Sequence, residues 1–159
     1  MLPNRNLADW TLRIAKSELG KREATGHNDG PFVNMLQRFV ADGAKWLDGQ
    51  PWCACFATWC IYQAAEHCQA TPILKKTASS SSLYSDAKEK GLLLGYPVPP
   101  CIGLIRGDGG SLGKTHEHTF IVASYDGQAG TISGIDGNWR NAVSLTTHNI
   151  PDCDFVAIA

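Results

Sequence analysis

The sequence predicts an α+β fold in which N-terminal helices pack on a C-terminal antiparallel sheet. Two observations support this. Apolar residues recur at helical spacing from Leu7 to Cys68, and β-branched or aromatic runs begin only at Gly103. Helices first and strands afterwards is the order of an α+β fold, not of alternating βαβ units.

The elements follow in order. Leu7, Trp10, Ile14 and Leu19, with Ala15 beside them, mark a first helix for which Gly20 is a plausible C-cap. A loop through Gly30 leads to Pro31, which opens a second helix ending at Val40; its apolar face is Phe32, Val33, Leu36, Phe39 and Val40. Gly43, Gly49 and Pro51 mark the connection to a third helix, from about Trp52 to Cys68. Cys53, Ala57, Cys60 and Ala64 form a stripe of small residues along it, which a sheet can approach closely. Trp52, Phe56 and Trp59 form a second stripe, so this helix is expected to be buried on more than one side.

After a polar loop or cap at Thr77–Ser82, Leu83 to Lys90 reads as a short helix stopped by Gly91. Strands are expected at Gly103–Arg106, Thr119–Tyr125, Thr131–Ile135, Val143–Leu145 and Phe155–Ile158. Asp126-Gly127 is the turn between the second and third of these, and Gly107 to Gly113 make a glycine-rich loop. No repeat or boundary interrupts the chain, so residues 1–159 read as one domain.

Composition narrows the function. With 43% hydrophobic and 18% charged residues, the 159-residue chain can build one core. A formal charge of −1 gives no electrostatic reason to expect nucleic acid or an anionic membrane as partner. No apolar run approaches the roughly 20 residues that span a bilayer. The N-terminal Met1–Asn6 stretch is polar and lacks the apolar segment of a secretory signal, so synthesis in the cytoplasm without a classical signal is expected. Four of the six cysteines fall on one predicted helix, which is not disulfide-framework spacing. Most are read as buried free thiols; an oxidising compartment would allow a Cys101–Cys153 bridge.

Cys53 is the candidate nucleophile. A helix N-terminus presents unpaired N–H groups and the positive end of the macrodipole, both of which favour a thiolate. A cysteine nucleophile needs a base, and the base needs an orienting group. His118 opens the strongest strand and shares a face with Phe120 and Val122; if that face meets the core, His118 points to the covering helix. On the next strand Asp136 and Asn138 share parity, and either is placed to accept from the imidazole. The competing arrangement is a zinc site using His116, His118, Cys53 and Asp136. Against it, Cys53 and Cys55 diverge on a helix. His116 otherwise reads as a loop residue near the groove. His27, His67 and His148 have no partner pattern and read as ordinary residues.

Pro51-Trp52-Cys53-Ala54-x-Phe56-x-x-Trp59 resembles the nucleophile motif of the CHAP amidase/peptidase family, within the NlpC-like, papain-like cell-wall hydrolases. Leu19-Gly20-x-x-Glu23 with Gly26-x-Asn28-x-Gly30-Pro31, His118-Thr119-Phe120-Ile121-Val122 and Ile135-Asp136-Gly137-Asn138 are similar to further parts of that family, in the same order. Phe120 stands where the family has glycine, and Asp136 where it has glutamate. The resemblance implies amide hydrolysis in peptidoglycan through a thioester, with Cys53, His118, Asp136 and Asn138 catalytic, and with no cofactor or metal. Gln50, Trp52 and His116 are the implied substrate or oxyanion contacts. The implied partner of a monomeric enzyme is the stem peptide. The setting would be a phage endolysin released by a holin, or a secreted antibacterial effector with a cognate immunity protein. A non-catalytic cell-wall binding module of the same fold is the alternative.

Overall fold

Asn4 supplies the first local signal: its Oδ1 accepts from the Leu7 N–H at 3.2 Å and caps α1, Arg5–Ser17. In this computed structural model, which describes residues 4–107 and 115–159, Glu18 is the C-cap of α1. Gly20, expected in that role, instead takes a φ of 89° and donates its N–H to Val143 O at 3.0 Å, turning the chain onto the sheet. Pro31 opens α2, Pro31–Val40, and Val33, Leu36 and Gln37 are its fully buried residues. The cysteine helix is α3, Cys53–Cys68, with both predicted stripes buried except at half-buried Trp59. The serine run is a cap and a first turn: Ser79 Oγ accepts from Ser82 N at 3.1 Å, so α4 spans Ser80–Glu89 and starts earlier than Leu83.

The strands are β1 (Leu93–Leu94), β2 (Cys101–Arg106), β3 (His116–Asp126), β4 (Thr131–Trp139), β5 (Ala142–Asn149) and β6 (Cys153–Val156). They form one sheet in the order β1-β6-β2-β3-β4-β5, with every neighbouring pair antiparallel. The described residues are thus α+β, helices preceding strands as expected. β5 continues four residues past Leu145, and Asp136-Gly137-Asn138 lies within β4. Apart from Gly107, the predicted glycine-rich loop lies outside the described residues.

Alternation along the strands separates two apolar layers. Ile102, Leu104, Ile121, Ile135 and Val156 join the helices in the main core. Cys101, Phe120, Val122, Ile132, Cys153 and Phe155 make a second cluster without a helix residue. Phe120 and Val122 therefore lie on the face away from α3, the reverse of the expected orientation. Thr119 and Ile121 face the helices instead.

Glycines set how closely these layers approach. A Cβ on Gly137 would lie 2.6 Å from Phe56 Cβ, so β4 meets α3 through a backbone without a side chain. On the other face the Phe120 ring occupies the space above its strand neighbours: a Cβ on Gly103 would stand 2.2 Å from it and one on Gly134 2.7 Å. That pair of glycines is why a phenylalanine is tolerated directly beside the candidate histidine.

All six cysteines are free. Cys101 lies beside Val122 and Cys153 beside Ile105, four residues further along β2. At about 3.3 Å per residue their backbones are roughly 13 Å apart, too far for a disulfide. The Cys101–Cys153 bridge is excluded by register.

Gly137→Ala would force α3 off the sheet and should destabilise the fold by about 1–3 kcal/mol. Urea unfolding monitored by tryptophan fluorescence measures this, and an unchanged midpoint would contradict the close packing described.

Candidate active site

Cys53 is the first residue of α3, and the segment before it is pinned. Trp52 is fully buried; its Nε1 donates to Glu23 Oε1 at 2.9 Å, and its ring meets Phe32 and Phe56 edge-on at 6.1 and 6.5 Å. Glu23, itself buried, also accepts from the Asn28 N–H at 3.0 Å through Oε2. The N-terminal loop is thereby locked under the start of the nucleophile helix. Trp52 contributes no side-chain cap to α3, so the first-turn N–H groups keep their donor capacity.

Cys53 is 6% exposed, and its thiol engages the His118 ring, the Thr119 backbone N–H and, at 3.9 Å, Ser80 Oγ. Ser80 Oγ is held in turn by Thr119 Oγ1 at 2.7 Å. Burial works against ionising Cys53, but hydrogen bonding and charge from His118 outweigh it and hold the thiol below its ordinary value of 9.0. Burial likewise disfavours charge on His118, yet the Asp136 hydrogen bond and then Cys53 push it up to about 9. Both shifts favour a thiolate–imidazolium pair at neutral pH.

Asp136 is the orienting group. Its carboxylate has no exposed surface, and Oδ2 lies 2.7 Å from His118 Nε2. With Nε2 occupied, Nδ1 is the nitrogen left for Cys53. The same Oδ2 lies 2.7 Å from His148 Nε2, and Oδ1 accepts from Thr146 Oγ1 at 2.5 Å. Burial alone would raise the carboxyl, but hydrogen bonds from His118 and His148 keep it below its ordinary value of 3.8.

A bulge helps to aim these groups. Ile105 pairs with His118 and Arg106 with His116, so Glu117 is an extra residue on β3. The extra residue changes side-chain parity, and the two histidines diverge. The His116 ring stacks on Tyr84 of α4 at 4.3 Å, and its Nε2 meets Asp154 Oδ2 at 2.8 Å. His118 instead joins Asp136 and lies 5.4 Å from the Trp139 ring.

The structure thus brings Cys53, His118 and Asp136 together and leaves Gln50 and His116 along the groove beside them, whereas Asn138 and Trp52 are placed elsewhere. Asn138 does not reach His118; at a φ of 59° its Nδ2 donates to Asn28 Oδ1 at 3.2 Å. Trp52 is sealed in the core and offers nothing to a substrate. His116 lies in a strand and not a loop, buried with its Nε2 engaged by Asp154, and it lines the groove as expected. Gln50 is exposed and its carbonyl accepts from Gln37 Nε2 at 2.8 Å, leaving its side chain at the groove. No group of three or more His, Cys, Asp or Glu among the described residues is arranged to hold a metal ion.

His148 and Thr146 were not expected here. The strand reading stopped at Leu145; continued by alternation, it would have put both on one face of β5 beside β4. Ser80 was hidden in a run of like residues.

A groove of about 610 Å³ runs beside Ser80, and Gln50, Pro51, Ser81, His116 and Trp46 are among the residues that line it. A cysteine at a helix start, an imidazole that favours its thiolate and a groove beside Ser80 can support nucleophilic attack on a carbonyl. No protein-family model, curated protein or solved structure matches the chain.

The rate of Cys53 alkylation by iodoacetamide should show two inflections with pH. The acidic one, below 9.0, marks formation of the ion pair, and the alkaline one, at about 9, marks loss of the imidazolium. Asp136→Ala removes the group that raises His118, so its alkaline inflection should move toward neutral pH, whereas Asn138→Ala should leave it in place. Superimposable wild-type and Asp136→Ala profiles would refute the pairing.

Proposed function

We propose that this protein is a cysteine-dependent amide hydrolase of the papain-like, NlpC-like kind, acting on bacterial peptidoglycan as an amidase or a stem-peptide endopeptidase. The observation that carries this is the line of interacting groups from Cys53 at the start of α3, through His118, to buried Asp136, which is hydrogen-bonded to that histidine. The choice of peptidoglycan rests on the resemblance of Pro51–Trp59 and the His118 and Asp136 segments to the CHAP family.

In the proposed reaction the Cys53 thiolate attacks the substrate carbonyl carbon and the carbonyl electrons move to oxygen. The Cys53 N–H, with a group from Gln50, stabilises that oxyanion. Collapse breaks the C–N bond as His118 Nδ1–H protonates the leaving amine, giving a thioester and neutral imidazole. Water then adds to the thioester as His118 takes its proton. The second collapse returns the thiolate, the imidazolium and a carboxylic acid, which gives its proton to solvent. Asp136 keeps the proton on Nε2, so that Nδ1 carries both transfers.

The stem peptide is the proposed groove occupant of a monomeric enzyme. Delivery to the wall, from the cytoplasm, would be through a holin or a secretion machine; in the second case a cognate immunity protein would cover the groove.

Purified sacculi supply the test. Cys53→Ala should abolish solubilisation while keeping its far-UV circular dichroism, and His118→Ala should lower kcat about 10²–10⁴-fold. Mass spectrometry of released muropeptides identifies the bond cleaved. Undiminished lysis by Cys53→Ala would sink the assignment.

A further inference from the structure

Asp136 carries one imidazole more than a nucleophile–base–orienter arrangement requires. His148, on β5, is 8% exposed, and its Nε2 lies 2.7 Å from Asp136 Oδ2 and 3.0 Å from Thr146 Oγ1. Thr146 donates to Asp136 Oδ1, so its hydroxyl oxygen remains an acceptor for the same His148 N–H. Three rings hold the imidazole: Phe120 at 4.3 Å, Trp139 at 5.2 Å and His118 at 6.2 Å. Phe120 can lie there because Gly103 and Gly134 leave it room. A histidine placed only to fill the second apolar cluster would not need its nitrogen on the buried carboxylate.

We propose that His148 is a positioning residue for the Cys53–His118 pair, its Nε2–H fixing the Asp136 carboxylate and sharing with His118 the single oxygen Oδ2. This rests on the hydrolase reading for its relevance to turnover, but not for its geometry. Two donors on one oxygen divide its electron density, so each hydrogen bond is weaker than it would be alone. His148 therefore moderates the pull of Asp136 on His118, keeping the imidazolium acidic enough to release its proton to a leaving group. It also denies the carboxylate a rotation that would abandon His118.

The titratable groups that face this centre come from five elements. They are Cys53 on α3, His118 on β3, Asp136 on β4, His148 itself on β5 and Cys153 on β6. Cys153 is pushed up to about 12, chiefly by burial, and Cys101 in the same cluster is also at about 12, so both stay uncharged in the working range.

Alkylation of Cys53 against pH reads the proposal without any assumption about substrate. His148→Ala frees Oδ2 for His118 alone, and the alkaline inflection should rise by about one pH unit, opposite in sign to Asp136→Ala. His148→Gln restores an N–H donor and should bring the inflection back toward wild type. On sacculi, His148→Ala should lower kcat with little change in KM. An inflection unmoved in His148→Ala, or not restored in His148→Gln, would overturn the proposal. Should the variants not fold, ¹⁵N-histidine NMR of the wild type decides: protons on Nε2 of both His118 and His148 are expected from pH 6 to 8, and a bare Nε2 on His148 refutes it. Intact sacculi with a shifted alkylation profile would dismiss the hydrolase reading and leave this one standing.

Discussion

A carboxylate with none of its surface in water is the constraint around which the sheet is built. Ionising Asp136 in that position costs several kcal/mol in lost hydration. Hydrogen bonds to a charged group return about 1.5–3 kcal/mol each, and Asp136 has three partners: His118, His148 and the Thr146 hydroxyl. Three such bonds are enough to offset the burial, and two would leave it marginal. The partners sit on β3 and β5, which flank β4, so the carboxylate ties the three strands in one register. A slip of one residue would turn Asp136 toward α3 and strand it without donors.

The same interaction sets the electrostatics of the thiol. Burial disfavours ionising Cys53; hydrogen bonding and charge from His118 outweigh it, and hydrogen bonding to Asp136 in turn favours the charged form of His118. Charge is passed along a line that begins on the far face of the sheet and ends at a helix start. The bulge at Glu117 lets β3 serve both ends: it turns His116 to Tyr84 and Asp154, and leaves His118 with Asp136.

Packing fixes the other end of the line. α3 cannot slide along the sheet, since Trp52 is wedged between Phe32 and Phe56 and hydrogen-bonded to Glu23. It also lies close on the sheet, since Phe56 packs against the bare backbone of Gly137. Asn28 joins these anchors to the end of β4 by accepting from Asn138, so the loop before α2 braces both halves of the site. Asn138 is thus part of the frame around the site, while Asp136 is the carboxylate hydrogen-bonded to the imidazole.

Local chemistry in the sequence determined the element types, the helix-to-strand order and the position of Cys53, because caps, prolines and apolar spacing act within a few residues. The candidacies of His118 and Asp136 were legible too, since strand parity is local. Everything that depended on which strand lies beside which was decided by tertiary structure. His148 and Thr146 look ordinary until β5 is laid against β4, and Trp52 looks like a groove residue until Glu23 meets its indole. The layer that Phe120 faces was misread for the same reason: alternation tells which residues share a face, but only the assembled sheet tells which face the helices cover. His116 and His118, two apart, would share a face in an unbroken ladder, and one unpaired residue in the β2–β3 ladder sets them on separate tasks. Spacing along a chain fixes directions relative to neighbours, and partners across the sheet fix what those directions meet.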